Sequence, residues 1–232
     1  MSLIDDVDIH KTKELLSNTA CDRSARLFGV CRVDELRQSF HAEIKIISEK
    51  LNTAISISVP LEGAVLETLI DRPNQIYKAH YRQVNAILDD TAFAVASELG
   101  KLGYHALPIP ASMVLKRYPM AAHLSHREIA FKAGLGWWGR NNLLVTPQYG
   151  SQIRLVTVLT DMELEPNTFI EDDCGDCYNC MGACPAGAIA DTKEGFILKA
   201  RSDKLQEFSR TNDYGAYICG LCLKACPGKG RP

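Results

Sequence analysis

The stretch CGDCYNCMGACP, residues 174–185, spaces Cys174, Cys177, Cys180 and Cys184 as CxxCxxCxxxC and closes on Pro185. Three thiolates at this spacing reach three corners of a cubane iron-sulfur cluster, and the fourth cysteine, turned away by the proline, serves a neighbouring cluster. A second run, Cys219, Cys222 and Cys226 before Pro227, lacks its first member, because position 216 is Ala. Cross-over wiring then assigns Cys174, Cys177, Cys180 and Cys226 to one [4Fe-4S] cluster. It leaves Cys184, Cys219 and Cys222 for a second site that is one thiolate short. Structural zinc also takes paired cysteines, but it wants four ligands per tetrahedral site, which seven thiolates and two Cys-Pro endings suit badly. Cys21 and Cys31 stand apart and read as small buried hydrophobes.

Outward from the cysteines, charge changes sign. Residues 161–184 carry Asp161, Glu163, Glu165, Glu171, Asp172, Asp173 and Asp176 with no Lys or Arg, whereas residues 100–160 carry a local balance of +6. The switch near Pro166 marks a domain boundary, with an N-terminal domain over 1–165 and a small domain over 166–232. The latter is too short to build much core and leans on its clusters. Either these charge runs are solvated faces, or a basic anion-binding centre lies beside an acidic surface around the metal. The whole chain has 232 residues, 46% of them apolar and 23% charged, and a formal charge of -2, which excludes disordered and collagen-like classes. No run approaches the ~18 apolar residues of a membrane span. Asp5, Asp6, Asp8, Lys11 and Lys13 stud the region where a secretory leader would be apolar. The expectation is a cytoplasmic protein with no membrane partner, in which close-set thiols hold metal instead of pairing as disulfides.

The N-terminal part alternates β-branched runs with helical patterns. Residues 27–33 and 53–59 predict strands. Residues 35–50 and 76–99 predict helices, the second with Ile76, His80, Val84, Ile87, Leu88, Thr91 and Val95 on one face and Gly100 and Gly103 as stops. Residues 104–109, 143–145 and 153–159 complete a mixed sheet. The fold class is α/β (α+β), a mixed-sheet N-terminal domain with flanking helices followed by the small double-cluster domain.

Gly134, Gly136 and Gly139 in GLGWWG, residues 134–139, match the GxGxxG pattern of dinucleotide-binding folds letter for letter. That fingerprint needs a strand before it and a helix after it. Here the order is reversed: Ser125 and Glu128 form a capping box for a helix that Gly134 stops, and NNLLVTPQYG, residues 141–150, reads as a turn into a strand. Nucleotide binding by these glycines is therefore not expected. Two readings of the turn remain. Its glycines and Trp137 and Trp138 let backbone and rings approach a flat ligand, or they form a tight turn whose tryptophans fill the core.

The combination AFKAGLGWWGRNNLLVTPQYGS (130–151), VLTD (158–161) and EDDCGDCYNCMGACPAGAI (171–189) resembles the epoxyqueuosine reductase family, which shares its core with cobalamin-dependent reductive dehalogenases. The similarity is dense over 125–189 and compatible in layout from position 20 onward. It implies an N-terminal domain that binds base-off cobalamin, with Gly134, Gly136, Trp137, Gly139, Arg140 and Asn141 against the corrin. It also implies a ferredoxin-like [4Fe-4S] domain that relays electrons to that cofactor. The implied partners are an electron-donor protein of ferredoxin or flavodoxin type and a small-molecule or nucleoside substrate. The implied chemistry is reduction, with a protein acid supplying a proton.

Three departures from the family stand out. Where the queuosine enzymes place an Asp upstream of the helix before the glycine turn, this chain has Met120, and His123 and His126 stand nearby as candidate acids. The family's extra cluster cysteine falls where this chain has Ser202 or Leu205, and the helical-repeat tail of tRNA-processing members is not seen before Pro232. A tRNA substrate rests on the resemblance alone, since near-neutral charge without basic-aromatic interleaving gives it no independent support. The reading from another class is a non-catalytic electron carrier, with the N-terminal domain as a docking module and the acidic 161–176 segment as docking face. A tightly held corrin discriminates the two.

Overall fold

A computed structural model describes residues 8–117, 120–211 and 214–228. In chain order its elements are helix α1 (Ile9–Cys21), strand β1 (Leu27–Arg32), helix α2 (Ala42–Lys45) between two 3-10 turns (Arg37–Ser39 and Ile47–Lys50), β2 (Thr53–Pro60), α3 (Gly63–Glu67) and α4 (Gln75–Lys101). There follow β3 (Ala106–Ile109), the two-residue strands β4 (Lys116–Arg117) and β5 (Met120–Ala121), α5 (His126–Lys132), β6 (Trp137–Trp138), β7 (Leu144–Val145) and β8 (Ile153–Thr160). The chain finishes with α6 (Asn179–Gly182), α7 (Leu198–Arg210) and α8 (Leu221–Lys224). Two compact units share the chain alternately. Unit 1 gathers the segments up to Val59, Ala86–Leu135 and Leu155–Phe169, and unit 2 gathers Pro60–Asn85, Gly136–Arg154 and the segment from Ile170 onward. Among the described residues no helix is long and apolar enough to cross a membrane.

Unit 1 is built on a four-stranded sheet of order β1-β2-β8-β3, with β1 antiparallel to β2 and β3 antiparallel to β8. Ile55, Ile57 and Val59 alternate with Ala54, Ser56 and Ser58 along β2, and all six are buried, as a strand covered on both faces requires. Helix α5 packs on β1. A Cβ on Gly29 of β1 would meet the Ala133 carbonyl oxygen at 2.4 Å, so glycine is what lets the helix end lie this close to the strand. Cys31, Leu36, Phe40, Ile44, Ile129 and Leu159 belong to one apolar cluster. Asn167 covers the open edge of β1: its backbone N–H donates to the Val30 carbonyl at 2.9 Å and its side-chain oxygen accepts the Val30 N–H at 3.0 Å. Those are the groups an exposed edge strand would otherwise offer to another chain.

The structure corrects four expectations. Cys21, read with Cys31 as a buried hydrophobe, is exposed at the end of α1. Residues 35–50 are not one helix. Phe40 is extended at ψ 144°, and the His41 N–H donates to the His123 carbonyl at 2.8 Å, a long-range bond in place of an intrahelical one. Leu36, Phe40 and Ile44 still face the core at helical spacing, so the periodicity reported burial and not hydrogen bonding. On α4 the buried face is turned: Tyr77, Val84, Leu88, Ala92, Val95 and Leu99 are inside, while Ile76 is 58% and Ile87 38% exposed. Residues 143–145 do not join the main sheet, because Leu144 and Val145 pair with Trp138 and Trp137 in a separate hairpin. The capping box appears as read, with the Ser125 hydroxyl accepting the Glu128 N–H and Gly134 past the helix end at φ +69°.

Candidate metal centre

Within unit 2, α6 packs against α8. Cys180 lies on α6 and Cys222 on α8, and each helix is followed by a Cys-Pro pair, Cys184–Pro185 and Cys226–Pro227. Burial pushes the Cys180 thiol up to about 11, and charge on Cys226, Cys174 and Cys177 pushes the same way. Cys226 is also raised by burial, opposed by hydrogen bonds from the side chain and backbone of Ser151. Burial pushes Cys222 up to about 12, with Cys219, Cys184 and Cys180 adding to it and Arg201 opposing. Cys219 is raised by burial and feels the same Cys184 and Arg201. Cys180 thus feels Cys174, Cys177 and Cys226, while Cys222 feels Cys184, Cys219 and also Cys180, so the seven thiols form one coupled group. All nine cysteines of the chain are free thiols.

Among the described residues no three His, Cys, Asp or Glu side chains are grouped to hold one metal ion. A cubane asks for a different geometry, thiolates spread over separate iron corners. Soft thiolates in sets of four and three are a donor set suited to iron-sulfur clusters. Cys184, Cys219 and Cys222 line one cavity of about 130 Å³, together with Tyr77, Tyr81, Arg154, Arg201, Lys204 and Leu205.

Sequence-distant segments hold the second cysteine run. The Lys224 ammonium donates to the Leu69 carbonyl at 2.9 Å and pairs with the Glu67 carboxylate at 3.2 Å. The Gln152 side chain donates to the Lys224 carbonyl at 2.7 Å, and the Ser151 N–H to the Cys226 carbonyl at 3.2 Å. A Cβ on Gly150, at φ +56°, would lie 2.1 Å from that same Cys226 oxygen, so the loop and the cysteine end touch backbone to backbone. Tyr77, Tyr81, Arg154 and Arg201 were not among the residues singled out from sequence. The tyrosines stand one helical turn apart at the start of α4, a signal open to reading. Arg154, by contrast, is placed by tertiary contacts, a hydrogen bond to Asn85 at 3.0 Å and a stack 4.3 Å over the Tyr81 ring.

The glycine turn is engaged with its own chain. A Cβ on Gly136 would lie 2.0 Å from the Val145 carbonyl oxygen, one on Gly139 would lie 2.6 Å from the Val145 side chain, and one on Gly134 would lie 2.2 Å from the Thr168 carbonyl oxygen. Trp137 is buried, and Trp138, half-buried, carries the Lys193 ammonium 4.6 Å over its ring. Arg140 donates to the Gly175 carbonyl at 2.8 Å and the Cys177 carbonyl at 3.0 Å, and stacks 4.3 Å over Tyr178. Buried Asn141 donates to the Ser151 hydroxyl at 3.1 Å and accepts the Leu143 N–H.

The two candidate acids lie in unit 1. His126 places Nε2 3.0 Å from the Pro110 carbonyl and Nδ1 2.8 Å from the Thr157 hydroxyl. A carbonyl only accepts, so Nε2 carries a proton, while the Thr157 hydroxyl can donate to Nδ1 or accept from it. His123 holds its Nε2 2.7 Å from a Glu43 carboxylate oxygen, edge-on to His41. Met120, at the family's acid position, lies in β5 with its side chain outside the described residues.

No family model matches the chain. The epoxyqueuosine reductase of Aliivibrio fischeri is 31% identical over 207 residues, 84% of this chain and 52% of that protein. Among solved structures, the epoxyqueuosine reductase from Streptococcus thermophilus superposes with a TM-score of 0.62 at 21% identity, covering 95% of this chain and 67% of that one. Another epoxyqueuosine reductase was solved with an epoxyqueuosine-modified tRNA-Tyr stem loop. A catabolic reductive dehalogenase in complex with 3-bromo-4-hydroxybenzoic acid superposes at 0.74 with 21% identity, covering 92% of this chain and 31% of that one. The chain shares the core common to epoxyqueuosine reductases and reductive dehalogenases, and spans about half the length of the curated epoxyqueuosine reductases it matches.

Proposed function

We propose that the chain is an iron-sulfur oxidoreductase of the epoxyqueuosine reductase-like kind. Its unit 2 carries two clusters and passes electrons from a ferredoxin- or flavodoxin-type donor to a corrinoid or to a small-molecule or nucleoside substrate. The observation that carries this is that α6 packs on α8, which brings the two Cys-Pro runs together, and that Cys184, Cys219 and Cys222 line one cavity. Bound there, iron-sulfur clusters supply one-electron transfer. Cys174, Cys177, Cys180 and Cys226 hold the first cluster, and Cys184, Cys219 and Cys222 the second. Arg140 fixes the Gly175–Tyr178 loop that carries Cys177, and Ser151 donates to Cys226, favouring its thiolate. Ile189, Phe196 and Leu205 wall the second site with apolar surface, which limits water there. Free thiols suit a reducing compartment, the cytoplasm.

The residues that the resemblance assigns to a corrin do not show a fit of their own. The hairpin already accounts for the small side chains at Gly136 and Gly139, and the terminal nitrogens of Arg140 and the amide of Asn141 bond the chain itself, although the buried Arg140 Nε has no partner among the described residues. No step is therefore derived through cobalamin. The closed turn favours a second reading, an electron carrier without its own reaction. A tRNA substrate draws support from relatives and none from charge.

Anaerobic purification with iron, sulfide and cobalt counts and a visible spectrum tests these readings. Iron, sulfide and broad visible absorption, with cobalt retained after incubation with cobalamin, match the reductase. The same clusters with no cobalt match the carrier. Stoichiometric zinc without visible absorption overturns both.

A further inference from the structure

The second thiol set stops at three, and the cavity it lines also has basic residues in its wall. Helix α7 presents Arg201, Lys204 and Leu205, at spacings of three and four along one face, to the cavity that Cys184, Cys219 and Cys222 line. Among the described residues no carboxylate pairs with Arg201, which lines the same cavity as Cys219 and Cys222. Lys204, by contrast, is tied to Glu207 at 2.7 Å. The phenol end of Tyr77 also borders the site, since a Cβ on Gly220 would lie 2.6 Å from its Cζ. Tyr77 itself is 2% exposed.

Resting on the iron-sulfur reading above, we propose that the second cluster is site-differentiated: its fourth iron has no protein ligand and takes an exchangeable small anion of carboxylate type, seated against Arg201. A guanidinium pairs with such an anion through a planar fork, and a cation there also offsets charge on the three thiolates. This is a ligand-binding site inside unit 2, distinct from the glycine turn. It makes the second cluster a centre that can sense or hold a small acid as well as carry electrons.

The test uses the full chain, reconstituted anaerobically with iron and sulfide, reduced with dithionite and followed by EPR while formate, and separately cyanide, is added. Either anion should shift the signal of one cluster and leave the other unchanged. Arg201→Gln should raise the half-effect concentration of formate about tenfold, in keeping with loss of a charge-assisted pair. Leu205→Cys, which places a thiol on the same wall, should abolish both shifts. Two fully formed clusters whose signals neither anion moves would overturn the proposal, as would a response that appears only in Tyr77→Phe, which would identify the tyrosine oxygen as the native ligand. Absence of iron and sulfide would fail the iron-sulfur reading itself, a result the metal count distinguishes from the others.

Discussion

Arg140 shows how one side chain can hold the loop that carries Cys177 through that loop's own backbone. Its two terminal nitrogens reach the carbonyls of Gly175 and Cys177, on either side of Asp176, and its plane lies on Tyr178. Lysine keeps the charge but lacks the fork. Losing one hydrogen bond from a charged donor costs about 1.5–3 kcal/mol, so Arg140→Lys should release iron to a chelator, under anaerobic conditions, about tenfold faster than wild type. An unchanged release rate would remove Arg140 from this role. Cys31 makes the opposite case, a thiol kept out of chemistry. Burial pushes it up to about 12 from 9.0, with Lys132 pulling weakly back. Because the folded value lies above the unfolded one, the contribution of this group to stability is complete below about pH 9 and is lost as pH rises from about 9 to about 12. At pH 9, iodoacetamide should therefore modify exposed Cys21 and spare Cys31 until denaturant is added. Peptide mapping checks this, and equal labelling of the two in the native protein would contradict it.

At the level of elements, what local chemistry determines was legible and what tertiary contacts determine was not. The α5 start needs only Ser125 and Glu128, three residues apart, and its stop only a glycine free to take φ +69°, so both could be read directly. The segment 35–50 carries an equally good apolar period, yet its hydrogen bonds go elsewhere, with His41 bonded to His123 from far along the chain. Helix α4 was placed correctly and its face rotated in part: Val84, Leu88, Thr91 and Val95 are buried as expected, but Ile76 and Ile87, which look like core residues, are exposed, and Tyr77 is inside. The rotation has a measurable consequence. Leu88 is 0% exposed and Ile87 is 38% exposed, so Leu88→Ala should cost about 2–5 kcal/mol. Ile87→Ala, a surface change, should stay within about 0.5 kcal/mol. Urea unfolding of the two variants decides the matter, and a larger loss at Ile87 would mean that the helix face described here is wrong.

Across the whole molecule, the seven clustered cysteines were readable because their spacing is local, while the company they keep was not. The charge reversal near Pro166 is visible in the sequence, and the last passage of the chain from unit 1 to unit 2 comes after Phe169. Nothing in local pattern, however, says that 60–85 and 136–154 group with the cysteine segment. That grouping rests on bonds such as Lys224 to Leu69 and Gln152 to Lys224, made between residues far apart in sequence. It changes what loss of a ligand should do. Metal binding supplies folding free energy to small domains that lack other support, and here the supported body is unit 2 as a whole. In Cys174→Ala, hydrogen exchange should therefore accelerate in the segment from 170 onward and also in 60–85 and 136–154. A rise of about a hundredfold corresponds to roughly 2.7 kcal/mol of lost protection. The strands β1, β2 and β3 of unit 1, which give Cys31, Ala54 and Ile109 to one apolar cluster, should keep theirs. If acceleration stops at residue 166, the cysteine segment is the body that the metal supports. If it reaches β2 between Thr53 and Val59, the two units share one cooperative transition, and cluster loss should then lower the unfolding temperature of the entire protein in a single step.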